Sequence, residues 1–182
     1  MSYAELCVTS NFTFLTGASH PEELVLRATE LGLSSIAITD RNSLAGVVRA
    51  YSALKSLRED LTESLRVRSS YQVDSCSRQE VGKPQDLTVP ETPRLPKLLV
   101  GARLVLRDCP VDWVALPTDR VAYERLSRLL TLGKRRAEKG GCDLDLADLE
   151  AGCHGIILIA LPDADLAPAP LQRLARRYPN HV

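Results

Sequence analysis

Aromatic side chains make up only 4% of the sequence, with one Trp, two Phe and five Tyr. That scarcity argues against single-strand nucleic-acid binding by rows of stacked bases. An excess of one charge is also missing, because 23 basic residues balance 23 acidic ones. A surface that wraps nucleic acid over its whole extent is thereby excluded, though a local basic patch is not. No apolar run reaches the ~18–20 residues of a membrane span. The opening Met1-Ser2-Tyr3-Ala4-Glu5 carries neither the basic nor the apolar segment of a secretory signal, so a cytoplasmic location is expected. Five scattered cysteines (Cys7, Cys76, Cys109, Cys142, Cys153) form no C-x-x-C pair. This disfavours a zinc knuckle and suits free thiols in a reducing compartment.

What is present is a globular composition, 45% hydrophobic and 25% charged over 182 residues. That is one domain's length, enough to bury a real core. Tyr3 to Thr9 alternates like a short strand. Ser19 and Glu22 have capping-box spacing, with Pro21 in the first turn of a predicted helix. Leu24, Val25, Ala28 and Leu31 form its apolar face, and Gly32 stops it. Ser35 to Thr39 reads as a buried parallel strand. Asp40-Arg41-Asn42-Ser43 then turns into a helix carrying Leu44, Val47, Val48, Tyr51 and Leu54. This β-α-β-α order predicts a parallel sheet with right-handed crossovers.

Residues 56–96 break the pattern. They hold several Ser and Pro residues and few apolar ones after Val73. The expectation is a helix extension fading into a loosely packed insertion. Leu98 to Leu106 reads as one strand, with Trp113 to Leu116 paired to it across a turn. Pro117-Thr118-Asp119 opens a helix whose inward face is Ala122, Leu126, Leu129, Leu130 and Gly133. A short helix over Leu146 to Ala151 follows, then a second parallel-type strand over Gly155 to Leu161. A last helix is expected over Pro170 to Tyr178, with another strand beginning at the end of the chain.

Functional groups in such folds gather at the C-terminal ends of strands. Those positions are Thr9-Ser10-Asn11 and Asp40-Arg41-Asn42. By pattern alone Asp40 reads equally well as a helix cap. His20, His154 and His181 have no metal-spaced partners and suit capping or surface roles.

Longer segments carry a family likeness. Residues 3–15, Tyr-Ala-Glu-Leu-Cys-Val-Thr-Ser-Asn-Phe-Thr-Phe-Leu, resemble the opening of the PHP (polymerase and histidinol phosphatase) domain of bacterial C-family DNA polymerases. Residues 17–25, 37–50 and 126–136 are similar to the error-prone, translesion branch of that family. The resemblance implies a partial, distorted (β/α)7 PHP-type barrel with parallel strands, spanning 1–182 and interrupted by the 56–96 insertion. Active members hold Zn or Mn with His, Asp and Glu at strand ends and hydrolyse phosphoesters.

Most of those ligands are replaced here. The family's His-x-His motif falls on Cys7-Val8-Thr9, its Asp-His on Asp40-Arg41, and a glutamate on Arg103. Only Asp40 keeps its identity. Arg41 and Arg103 place permanent positive charge where a metal ligand should stand. The expectation is a degenerate site with no metal, no catalytic residue and no cofactor, in which a guanidinium paired to Asp40 substitutes for a missing cation.

One helix is strongly basic. Residues 120–139 hold seven basic and two acidic side chains, ending in Lys134-Arg135-Arg136. Cations at a helix end are favoured by the macrodipole. The same three residues are candidates for phosphate or partner contact.

The Mg-dependent polymerase chemistry of the full-length family needs a palm domain, which these residues do not supply. The leading reading is a non-catalytic scaffold part of an error-prone polymerase. Its expected partners are the rest of that chain, DNA and translesion accessory proteins, with no membrane. The alternatives are an independent metal-dependent phosphoesterase, or a truncated product without independent function. With 56–96 set aside, about 140 residues remain, short of the ~200–250 of a full β/α barrel.

Overall fold

The computed structural model describes residues 3–74, 94–161, 172, 173, 175 and 176. Its elements, in order, are β1 (Ala4–Val8), α1 (Pro21–Glu30), β2 (Ser35–Ile38), α2 (Ala45–Asp74), β3 (Lys97–Val100), β4 (Ala102–Leu104), β5 (Asp112–Pro117), α3 (Arg120–Arg136), α4 (Leu146–Gly152) and β6 (Ile156–Leu161). The expected last helix and the terminal strand lie largely outside the described residues. So does the central part of the expected insertion, residues 75–93. Its first part, up to Asp74, continues α2.

Two three-stranded sheets form. One is parallel, in the order β1-β2-β3, and the other is antiparallel, in the order β4-β5-β6. No closed barrel is formed by the described strands. The period-2 alternation of the strands sorts their side chains between layers. In β2, Ile36 and Ile38 pack with α1 and α2, through Val25, Ala28, Ala50 and Leu54. Ala37 faces the other way and meets Val114 and Leu116 of β5. In β5, Trp113 and Ala115 pack with the inward face of α3 and with Leu149 of α4. The predicted α3 face, Ala122, Leu126, Leu129, Leu130 and Gly133, is buried throughout.

Three local expectations need correcting. First, α1 is capped by His20, not Ser19. Pro21 occupies the first helical position and keeps His20 out of the helical region, at ψ 149°. The His20 N–H donates to Glu23 at 2.9 Å. The C-terminus follows the prediction: Gly32 adopts φ +66°, and Leu33 N–H closes the turn onto the Ala28 carbonyl.

Second, the expected strand over 98–106 is two strands in different sheets, divided at Gly101. A Cβ there would lie 2.6 Å from Leu116 and 2.9 Å from Thr39, so only glycine lets the chain cross between the sheets. Third, β6 runs antiparallel to β5, pairing Pro117 with Ile156 and Asp112 with Leu161. A single helix between them would have delivered a parallel strand. Here α3 is followed by α4, which carries the chain back to the end of β5, where Thr118 N–H bonds the Gly155 carbonyl at 3.1 Å. A strand buried on both faces looks the same in sequence whichever way it runs.

Candidate functional site

The C-terminal ends of β1 and β2 converge on Asp40, which is 1% exposed. Its Oδ1 accepts from the Ser10 N–H at 2.8 Å and the Thr13 hydroxyl at 2.9 Å. Its Oδ2 accepts from the Ser10 hydroxyl at 2.8 Å. Ser10 is fully buried, and Thr13 nearly so. The Thr13 oxygen also accepts the Arg41 N–H at 3.0 Å. One carboxylate thus ties the loop after β1 to the loop after β2. Gly46, at the start of α2, packs directly on this group: a Cβ there would stand 2.6 Å from Asp40 Oδ2.

The chain beyond Asp40 then joins the second sheet. The Arg103 N–H donates to the Asp40 carbonyl, and the Asn42 N–H donates to the Arg103 carbonyl at 2.8 Å. Asn42 takes a left-handed conformation, φ +46°, which Asn tolerates better than most residues. Its side-chain amide continues the ladder, accepting from Val105 N–H at 3.0 Å and donating to the Val105 carbonyl. Arg41 and Arg103 form an isolated parallel bridge. Paired residues on adjacent strands project to the same side, and both arginines line one cavity.

That cavity has a volume of about 280 Å³ and is lined by Thr9, Thr13, Thr16, Arg41, Arg103, Val105 and Asp112. Three of the five positions expected to form a degenerate ligand set, Thr9, Arg41 and Arg103, line it. Asp40 lies buried beside it, and Cys7 is exposed and does not line it. Among the described residues no guanidinium is paired with Asp40. Arg103 instead donates through Nε and Nη2 to Asp112 Oδ2, at 2.8 and 2.6 Å. Arg103 sits opposite Val114, so Asp112 is its diagonal neighbour on the same sheet face. Asp40 accepts instead from two hydroxyls and one backbone amide.

The donor set does not suit a metal cluster. The cavity offers two cationic side chains, three hydroxyls and one carboxylate already held by Arg103. No group of three His, Cys, Asp or Glu side chains able to hold a metal ion occurs among the described residues. The four described cysteines, Cys7, Cys109, Cys142 and Cys153, are free thiols.

The basic end of α3 is divided among different surroundings. Lys134 lines a wider cleft of about 560 Å³, together with Phe12, Phe14, Arg41 and Lys139. Arg136 is engaged with Asp148 of α4. Arg135 is exposed on the outer face. Cys142 lines the same cleft, and burial pushes its thiol pKa up. The loop after β1 ends in an apolar tip: Phe14 is 89% exposed and Leu15 fully exposed, with Leu15 at φ +62°.

Sequence reasoning missed Ser10 and Thr13 as partners of Asp40, and Asp112 as the partner of Arg103. The first pair carried a signal, since two hydroxyl residues follow β1 where a buried Asp would need donors. The second became visible only with the β4–β5 register.

An α/β arrangement of two sheets, each covered by helices, with polar residues gathered at the ends of the parallel strands sets the class of fold, and comparison narrows it. The PHP domain family matches residues 5–168, and the chain belongs to that family. Within it, the chain is similar over its whole length to error-prone DNA polymerases. It is 69% identical to that of Ruegeria pomeroyi, over 100% of this chain and 17% of the relative. It is 44% identical to that of Rhodopseudomonas palustris (strain BisB5), over 95% of this chain and 13% of the relative. The chain thus spans less than a fifth of the length of these curated relatives. A solved structure from Bifidobacterium adolescentis, of a candidate metal-dependent phosphoesterase, has the same fold. Its TM-score is 0.59 at 13% identity, covering 97% of this chain and 74% of the other. No helix among the described residues is long and apolar enough to cross a membrane.

Proposed function

We propose that this chain is the non-catalytic PHP part of an error-prone DNA polymerase, acting as a scaffold in DNA-damage-induced translesion synthesis in the cytoplasm. The observation that carries the reading is the state of the old ligand positions. The one retained carboxylate, Asp40, spends both oxygens on Ser10 and Thr13. Arg41 and Arg103 bring cations to the cavity in place of metal ligands. Metal-assisted hydrolysis needs a bound cation with open coordination positions. The polymerase half of the reading rests on the relatives, whose names are those of error-prone DNA polymerases.

In this reading Asp40 and Asn42 hold the two sheets in register, and the outer surface meets the rest of the polymerase chain. The exposed Phe14–Leu15 tip supports such a contact, because a bulky residue at positive φ costs about 1–3 kcal/mol and persists where something depends on it. DNA and accessory proteins are further partners in this reading, reached through the assembled polymerase.

The test has two arms. The chain is incubated with Mn or Zn and a generic phosphomonoester. The reading predicts no hydrolysis above the metal blank, and turnover lost in Asp40→Asn would establish the phosphoesterase alternative instead. The chain is also co-expressed with the Ruegeria pomeroyi polymerase lacking its matching segment. Co-purification weakened by Phe14→Ser with Leu15→Ser is expected, and failure to associate would remove the scaffold role.

A further inference from the structure

A groove of about 300 Å³ runs between α3 and α4. Its apolar part is built by Leu129 and Leu132 of α3 and by Ala151 and Gly152 at the end of α4. Leu129 is buried, but Leu132 is 40% exposed and Ala151 is exposed as well. A Cβ at Gly152 would meet only Leu129 among the described residues, at 3.9 Å, and the φ of Gly152 is not positive. Neither packing nor backbone conformation demands glycine there, and its missing side chain leaves the groove open.

The polar part of the groove is basic. Arg125 and Arg128 line it, about one turn apart on α3. Arg125 is held in place, because its Nη1 donates to the His154 carbonyl at 2.9 Å, just beyond the end of α4. That bond uses one of the five N–H donors of a guanidinium. Arg128 pairs with Glu124 one turn away, an exposed contact that contributes little and is readily exchanged. The one carboxylate of the lining, Asp148, is engaged by Arg136. With these neighbours and Arg135 included, Arg125, Arg128, Arg135 and Arg136 stand against Glu124 and Asp148, an excess of positive charge. Asp145 and Glu150, beside and within α4, are balanced by Arg107 and Arg173.

We infer that this groove docks an acidic protein segment that carries a leucine-sized apolar anchor. The anchor covers Leu132, Ala151 and Gly152 and gains from the apolar area it removes from water. Carboxylates on the adjoining turn of the segment reach Arg125 and Arg128 through charge-assisted hydrogen bonds. An amphipathic helix laid into an apolar groove with charged flanks is a recurring mode of recognition. A nucleic acid could use the arginines but would gain nothing from the apolar part, so the groove fits a peptide better. Such a contact deepens the scaffold reading, on which it rests, with a second surface built from residues other than the Phe14–Leu15 tip.

The probe is a fluorescein-labelled, sixteen-residue alanine peptide with two leucines seven residues apart, each with glutamates three and four residues to either side. The 182-residue chain is titrated into it and the anisotropy is read. Saturable binding is expected, and counterparts with lysine for glutamate or alanine for leucine should each bind about tenfold more weakly. Gly152→Leu fills the groove and lowers affinity about tenfold, while the urea midpoint stays at or above the parent's. Arg128→Glu weakens the glutamate peptide and strengthens the lysine peptide, a reversal that an unfolded variant cannot produce. Lys55→Gln, on the exposed part of α2, changes neither.

A glutamate peptide bound no better than its lysine counterpart, or affinity indifferent to Gly152→Leu, would overturn the inference. Displacement of the bound peptide by a single-stranded oligonucleotide of equal charge would also overturn it, by giving the groove to nucleic acid. Failure of the chain to associate with the polymerase would undo the scaffold reading and leave peptide binding standing, whereas an unbound peptide would undo only the docking groove.

Discussion

Replacing Asp40 by alanine tests the hydrogen-bonded cluster at the sheet ends. The change deprives three donors of their acceptor: the Ser10 N–H, the Ser10 hydroxyl and the Thr13 hydroxyl. All three lie in buried surroundings. An unsatisfied buried donor costs about 1–3 kcal/mol. The hydroxyls can rotate and recover part of that, but the Ser10 N–H cannot. The net loss is about 3–5 kcal/mol, a large share of the ~5–15 kcal/mol that holds a domain folded. Asp40→Asn is the sharper companion. Its side-chain oxygen still accepts from Ser10 N–H and Thr13, and its amide donates to Ser10 Oγ once that hydroxyl turns round. The loss there is about 1–2 kcal/mol, mostly the charge assistance. Trp113, the single tryptophan and fully buried, reports unfolding by fluorescence in urea. With a slope of ~2 kcal/mol per molar, the midpoint falls by about 1.5–2.5 M for alanine and about 0.5–1 M for asparagine. An alanine variant with the parent's midpoint, or an asparagine variant equally damaged, would refute the cluster's structural role.

Other consequences follow from single contacts. Gly46→Ala forces a methyl against Asp40 Oδ2 and Ser10 Oγ and should cost about 1–3 kcal/mol in the same urea assay. Its effect should be non-additive with that of Asp40→Ala, and strict additivity would argue against the contact. The Arg107 guanidinium donates two hydrogen bonds to Asp145 and holds that carboxyl below its usual range. A depressed folded pKa gives stability that is present above the unfolded value of about 3.9 and is lost as pH falls through the folded one. The difference in midpoint between parent and Arg107→Gln should therefore exist at neutral pH and shrink in acid. A gap that widened in acid would contradict the pairing. Burial raises the Cys142 thiol pKa and keeps it protonated near neutrality. Iodoacetamide followed by peptide mass spectrometry should find exposed Cys7 modified before Cys142, and the reverse order would argue against this placement.

Where local chemistry decides the structure, the sequence was readable. The five inward residues of α3 recur at helical spacing, and all are buried, four of them in the core cluster shared with β5 and β6. Gly32 announced its left-handed stop because few residues adopt that conformation cheaply. The direction of β6 was not readable, since burial on both faces carries no arrow. The break at Gly101 was hidden because the crowding that demands glycine comes from Leu116 and Thr39, distant in sequence. At the site, Thr9, Arg41 and Arg103 line one cavity. The partner of Arg103 is set by the register of β4 and β5, which the sequence does not reveal, so Asp112 could not be picked out in advance. Cys7 fell outside the cavity for a related reason. The β1–β2 pairing shifts register between Glu5 and Val8, so regular alternation does not carry from Cys7 to Thr9.

The central claim is that this PHP site has exchanged cations for arginines. Its most direct test is the metal content of the 182-residue chain after exposure to Mn or Zn and exhaustive dialysis, read by elemental analysis beside the urea midpoint. A ligand that binds only the folded state must raise its stability. The account predicts substoichiometric metal and an unmoved midpoint. One or more ions retained per chain, with a midpoint raised by the metal, would contradict it.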